Sequence, residues 1–324
     1  MTALPFARAP VLRPGDPIAV LAPSSPVDPR LLKRGIAYLE RRGHTVIRGA
    51  GLAARHGYLA GEDDQRAAAF NAAIATEGSP AIALARGGYG FSRILDRLDL
   101  DRLVLRPRPI LGYSDATALF MALQRSGSYR VHYGPSVADL GVPKAFDETS
   151  LWDALYGAPG AYNLSFKAAD VLRHGRGAGP IIGGCLSLLV SLLGTPYDPD
   201  YDGAILFWEE VNEHPFRIDR MLTHLRNAGK LDRLRGMVVG SLTGCEAVKG
   251  KPSLTVRQVI LDRVAPFAFP VVWNVRAGHI AGKITLPLGA PATLSTSRRV
   301  LAIEPPVVYR AYRSVRGKRS ARRG

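Results

Sequence analysis

The sequence predicts an α/β protein of two units, and three observations carry the prediction. From Pro17 to about residue 135, short apolar runs alternate with amphipathic helical stretches, the pattern of a parallel sheet covered on both faces. A glycine-rich break follows near 157–180. Beyond it come further apolar runs and the β-rich stretch "KITLPLGAPATLST" at 283–296, a mixed α/β pattern. The 324 residues, 47% of them hydrophobic and 22% charged, are enough for two cores.

Taken in order, "PIAVLAP" (17–23) is the first strand. In "PRLLKRGIAYLERRG" (29–43), Leu31, Leu32, Ile36 and Leu39 share one helical stripe, and Gly43 supplies the stop. "TVIRG", the helix of "GEDDQRAAAFNAAIATEG", "PAIALARGG", a short helix from Phe91, "RPILGYS", a helix after Ser114 and "RVHYGP" continue the alternation. The expected first unit, residues 1–160, is thus a flavodoxin-like parallel sheet, and 161–178 are expected to link it to a second unit at 179–309. That unit holds "GCLSLLVSLLG", "AILFWEEV", the helix "PFRIDRMLTHLRNAGKL", "GMVVGSLTG", the helix "SLTVRQVILDRVAPF" and "PVVWNV".

Net charge is +16, but seven positive charges lie in the acid-free stretch 310–324, expected to be a solvated tail. The other nine are spread along the chain without an aromatic-rich RNA motif, so no specific nucleic acid partner is expected. There is no apolar block long enough to span a membrane, and the prolines and arginines near Met1 do not suit a signal peptide, which together predict a cytoplasmic protein. Cys185 and Cys245 stand 60 positions apart with no metal-ligand spacing and are expected to be inert thiols. "RGGYG" fits neither the dinucleotide pattern nor the phosphate loop, so nucleotide binding is disfavoured and no cofactor is expected.

Chemistry is expected where strands end. The loop "ARGGYGFS" (85–92) and the turn Gly112-Tyr113-Ser114-Asp115 both follow strands, where backbone amides converge on ligands in open sheets. Ser114 has two readings, a helix cap or a nucleophile with an oxyanion hole beside it. A nucleophilic serine needs a base and an orienting acid. Of seven histidines, His279 in "NVRAGHIAGK" follows a strand among small residues, which leaves its ring accessible. Glu209 and Glu210 end an apolar strand, although Glu210 and Glu213 also suit the positive end of a helix opening at Pro215.

"RGGYG", "GYSDATAL", "SLLGTPYDP", "LFWEEVNEHPFRIDRML" and "AGHIAGKITLPLGA" together resemble the LD-carboxypeptidases, over roughly residues 16 to 305 and in the family's order. That family of serine peptidases includes muropeptide-recycling enzymes and microcin C immunity peptidases. The resemblance implies Ser114 as nucleophile, His279 as general base and Glu209 as orienting acid, with the backbone amides of Gly88 and Asp115 as oxyanion donors. It implies a site between two domains, no metal or organic cofactor, a small peptide or muropeptide substrate and a homodimer. Arg86, beside the oxyanion loop, is a candidate for the substrate's free carboxylate. Cys185 stands where the muropeptide enzymes carry asparagine, a departure that touches substrate detail. The implied reaction releases terminal D-alanine from a murein tetrapeptide. Cleavage of an aminoacyl-nucleotide amide is the alternative, and a non-catalytic ligand- or nucleic-acid-binding protein is the second.

Overall fold

A computed structural model describes residues 11–78, 80–125, 129–157 and 162–305. In chain order the first half contains β1 (Ile18–Leu21), α1 (Pro29–Arg41), β2 (Val46–Arg48), α2 (Asp63–Ala75), β3 (Ala81–Leu84), α3 (Leu100–Leu105), β4 (Ile110–Gly112), α4 (Thr117–Gln124), β5 (Val131–Tyr133), α5 (Val137–Leu140) and α6 (Glu148–Tyr156). The second contains β6 (Tyr162–Ser165), β7 (Val171–Arg173), β8 (Arg176–Cys185), α7 (Leu186–Ser191), β9 (Ile205–Val211), α8 (Pro215–Asn227), β10 (Gly236–Thr243), α9 (Val256–Val264), β11 (Val271–Val272), β12 (Leu286–Leu288), β13 (Pro291–Ser295) and β14 (Val300–Ile303).

The first sheet runs β12-β5-β4-β3-β1-β2, and β1 to β5 are mutually parallel. Its order 2-1-3-4-5 is that of a flavodoxin-like doubly wound sheet, as the alternation predicts. Each of β1, β3, β4 and β5 is fully buried, since helices cover both faces. Asp28 starts α1 by accepting the amides of Arg30 (2.7 Å) and Leu31 (3.3 Å).

The second sheet runs β6-β14-β13-β8-β9-β10-β11-β7, with β8 to β11 parallel and the flanking pairs antiparallel. The expected boundaries fail in two places. Residues from Tyr162 to 178, read as a link, carry β6, β7 and the start of β8. The glycines of the break near 157–180 mark close strand packing rather than freedom: a Cβ on Gly177 would lie 1.6 Å from the Arg235 carbonyl oxygen, and one on Gly179 would lie 1.9 Å from that of Gly203. In addition, β12 leaves the second half of the chain and joins the first sheet antiparallel to β5, pairing Leu286 with Tyr133. The expected tail, 310–324, lies outside the described residues.

One apolar interior runs from the first sheet through α4 to the second, including Phe120, Tyr133, Phe207 and Trp208. A separate apolar layer under α1, α5 and α6 closes the other face of the first sheet. Among the described residues no helix is long and apolar enough to cross a membrane.

Candidate functional site

Loops after β1, β3 and β4 interlock at the carboxyl edge of the first sheet. The Ser25 hydroxyl accepts the Tyr89 amide at 3.1 Å, and the Asp115 carboxylate accepts the Phe91 amide at 2.9 Å. Arg66, only 3% exposed, fastens the same loop by donating to the carbonyls of Gly61 (3.2 Å), Gly90 (3.0 Å) and Pro23. Burial pushes the Asp115 carboxyl up, while the Ser24 hydroxyl and the Phe91 amide act the other way.

Ser114 sits in the turn between β4 and α4 at φ +61°, a left-handed conformation that a non-glycine residue adopts only when its surroundings enforce it. Enforcement comes from close packing. A Cβ on Gly87 would lie 2.8 Å from the Ser114 Cβ, and one on Gly184 would lie 2.3 Å from Oγ1 of Thr117, the first residue of α4. No side chain caps this turn or the helix that follows, so the cap reading of Ser114 does not describe the structure. Its half-buried side chain stands where the strand meets the loops.

Glu209 and His279 come from the second half of the chain. Glu209, near the end of β9, is fully buried. It accepts the His279 Nδ1 proton, with Nδ1 2.8 Å from Oε2 and 3.1 Å from Oε1, and also the His279 backbone amide at 3.1 Å. A carboxylate can only accept, so Nδ1 carries a proton, and in the neutral ring Nε2 keeps its lone pair. The loop is pinned to β10, with Thr243 Oγ1 donating to the His279 carbonyl at 2.6 Å and the Ser241 amide donating to that of Ala277 at 2.9 Å. Gly278 is required here: at φ +108°, a Cβ on it would lie 2.3 Å from Glu209 Oε2.

The two halves meet through rings and one hydroxyl. Tyr113, the residue before Ser114, sets its ring 5.0 Å from that of His279. Tyr133 donates its hydroxyl to Glu209 Oε1 at 2.7 Å and accepts the Ser114 amide at 3.1 Å. The structure thus gathers Ser114, Glu209 and His279 in one group, with Gly88 and Asp115 on the loops beside it. Among the described residues the Gly88 amide, outside every helix and strand, has no acceptor. Arg86 shares that loop but is exposed, donating to the Pro26 carbonyl at 3.1 Å.

Glu210 has a different place from the one expected. Its buried carboxylate accepts the amides of Ser187 in α7 (2.8 Å) and Val211 (2.9 Å), so it serves α7 and not α8, and burial pushes it up. Glu213 pairs with Arg217 at 3.4 Å in the first turn of α8. Both cysteines are free and buried, and burial raises both thiols. Among the described residues no group of three or more His, Cys, Asp or Glu side chains is placed to hold a metal.

Sequence reasoning missed Tyr133, the Asp115 carboxylate and Arg66. Residues 18–134 match the LD-carboxypeptidase N-terminal domain and residues 178–294 the LD-carboxypeptidase C-terminal domain. The probable murein peptide carboxypeptidase of Bacillus subtilis is 34% identical over 91% of this chain and 94% of its own. The solved muramoyltetrapeptide carboxypeptidase from Oxalobacter formigenes superposes with a TM-score of 0.80 at 28% identity, over 89% of this chain and 98% of that one. The microcin C7 self-immunity protein of Escherichia coli shares the fold, its wild-type structure giving a TM-score of 0.83 at 23% identity over 92% of this chain and 98% of that one.

Proposed function

This chain belongs to the LD-carboxypeptidase family, and from that premise we propose that it is a serine-type carboxypeptidase that releases terminal D-alanine from murein tetrapeptides. The observation that carries the reading is the hydrogen-bonded pair of buried Glu209 and His279, delivered by the second sheet to the left-handed Ser114 turn of the first. A histidine whose Nδ1 is held by a carboxylate presents Nε2 as a base, and a serine on a strained strand-to-helix turn presents its hydroxyl clear of the sheet.

In this reading Ser114 Oγ attacks the carbonyl carbon of the amide between the L-configured centre of residue three and D-alanine, and His279 takes the hydroxyl proton. The amides of Gly88 and Asp115 receive the oxyanion, His279 returns its proton to the leaving amine, and D-alanine departs. Water then hydrolyses the acyl-enzyme by the same route reversed in roles. Glu209 fixes the imidazole tautomer and stabilises the imidazolium. Arg86 is the proposed partner of the free terminal carboxylate, as any enzyme that removes one end residue needs a group for it.

The test is mass-spectrometric analysis of products from a murein tetrapeptide, its terminally amidated form and a glutamyl sulfamoyl or aminoacyl nucleotide. D-alanine release from the free tetrapeptide, with only slow release of D-alaninamide from the amidated form, supports the reading. Turnover of only the nucleotide conjugate would replace it with an immunity-type activity, and turnover of none would leave a binding protein.

A further inference from the structure

We infer that Tyr133 is a positioning residue that couples the acid of one sheet to the nucleophile of the other, an assignment that rests on the reaction proposed above. Tyr133 ends β5, the strand next to β4, and is completely buried. Its hydroxyl has one proton and gives it to Glu209 Oε1 at 2.7 Å; the same oxygen accepts the Ser114 amide at 3.1 Å. A single atom therefore bridges the backbone of the proposed nucleophile and the carboxylate that orients its base.

Two consequences follow from the geometry. First, Glu209 makes unlike contacts with its two oxygens: Oε1 takes the Tyr133 proton at 2.7 Å, while Oε2 takes the His279 backbone amide at 3.1 Å and the closer approach of Nδ1, 2.8 Å against 3.1 Å at Oε1. A carboxylate with a donor on each oxygen cannot rotate, so the imidazole plane it holds is fixed as well. Second, the Ser114 amide is occupied. At φ +61° that amide points away from the helix ladder into the protein, and Tyr133 is the acceptor that makes this conformation tolerable. The amide is thus kept out of the set available to an oxyanion, which leaves Asp115 and Gly88 for that role.

The ring is wedged by Tyr113 (6.3 Å), Phe120 (6.3 Å) and Phe207 (5.3 Å), all at steep angles, so the hydroxyl has no other direction to take. Burial, with the nearby Glu209 charge, pushes the Tyr133 hydroxyl far up, and it stays a donor at every working pH. Phenylalanine cannot replace it, because the ring would pack and the bridge would vanish.

Tyr133→Phe, assayed for D-alanine release from the tetrapeptide, is expected to lower kcat by about thirtyfold while KM stays within about twofold. Labelling of Ser114 by a fluorophosphonate should slow in parallel. Because Tyr133 acts through Glu209, the Tyr133→Phe/Glu209→Gln double variant should lose much less than the product of the two single losses. Phe120→Leu perturbs the same ring pocket without touching a hydrogen bond and should lower Tm while leaving kcat within about threefold. Wild-type protein that releases no D-alanine would overturn the proposed reaction itself. An active wild type with Tyr133→Phe kcat within threefold, or with multiplicative losses in the double variant, would overturn the role of Tyr133. A Tyr133→Phe defect matched by Phe120→Leu would show packing alone at work and would overturn it too.

Discussion

The ends of β4 and β9 meet at one site and are built in opposite ways. At β4 the functional group is half-buried, and the backbone bears the distortion: Ser114 is left-handed, hemmed in by Gly87 and tied by its amide to Tyr133. At β9 the backbone stays in the strand, the slip in its pairing with β10 beside Glu209 being taken up between Val239 and Leu242, and the functional group is sealed, with Glu209 fully buried and accepting from Tyr133 and from the ring and backbone of His279. The difference suits the proposed roles. A nucleophile has to reach substrate, and a strained turn would expose it. An orienting carboxylate has no need to leave its partner, and burial there strengthens its hydrogen bonds because no water competes.

The strongest way to break this comparison is at β4. Ser114→Ala should reduce tetrapeptide turnover by at least about 10⁴-fold with the fold intact by circular dichroism, and residual activity within tenfold would remove Ser114 from the reaction. At β9 the two neighbouring acids sharpen it. Glu209→Gln should lose about 10⁴ in kcat, whereas Glu210→Gln should stay within about tenfold and instead lose about 1–3 kcal/mol of stability in urea titrations, because its carboxylate accepts the Ser187 and Val211 amides and the Cys185 thiol and touches none of Ser114, Glu209 and His279. The opposite ranking would move the orienting role one residue along the strand.

A smaller effect is expected from geometry alone. Gly278→Ala introduces a Cβ against Glu209 Oε2 at an unfavourable φ of +108°, and should lower kcat about 10²-fold although no reacting group is removed. Arg86→Ala should cost about tenfold in kcat/KM, mostly in KM, and the loss should vanish for a terminally amidated substrate. Equal losses on both substrates would free Arg86 from the carboxylate.

The smallest expected effect on turnover, and one confined to stability, concerns His132, two residues after Arg130 on β5. Burial, with the Arg130 charge, lowers its pKa to about 4, and its ring packs neutral with Nε2 3.0 Å from the Ala154 carbonyl. As pH falls from about 6.5 towards 4, the unfolded chain takes up a proton at this position and the native protein does not. Stability is therefore fully present above about 6.5 and declines across that window, by on the order of 3 kcal/mol in total. His132→Gln should flatten that part of the stability curve in denaturant titrations between pH 7 and 4.5. An unchanged slope would assign the acid sensitivity elsewhere.

The sequence carried β1 to β5 of the first sheet well, because each is a short apolar run closed by glycine or proline and α1 shows a stripe and a stop, all signals within a few residues. It also placed Ser114, Glu209 and His279 at strand ends, and the resemblance supplied their proposed roles. Glycine was the residue it misread: Gly177 and Gly179, in the glycine-rich break near 157–180, in fact sit where a Cβ would meet the carbonyl oxygen of a neighbouring segment.

What remained for the tertiary structure was every relation between parts far apart in the chain. That Tyr133 bridges Ser114 and Glu209, 19 and 76 positions away, follows from the register that sets β5 beside β4 and from α4 packing both sheets into one core. That Glu210 serves α7, and that β12 crosses to the first sheet, follow likewise from which strands become neighbours. Local sequence fixes dihedral preferences and buried faces over one element at a time, whereas a hydrogen bond between elements depends on their packing, which the whole chain decides together.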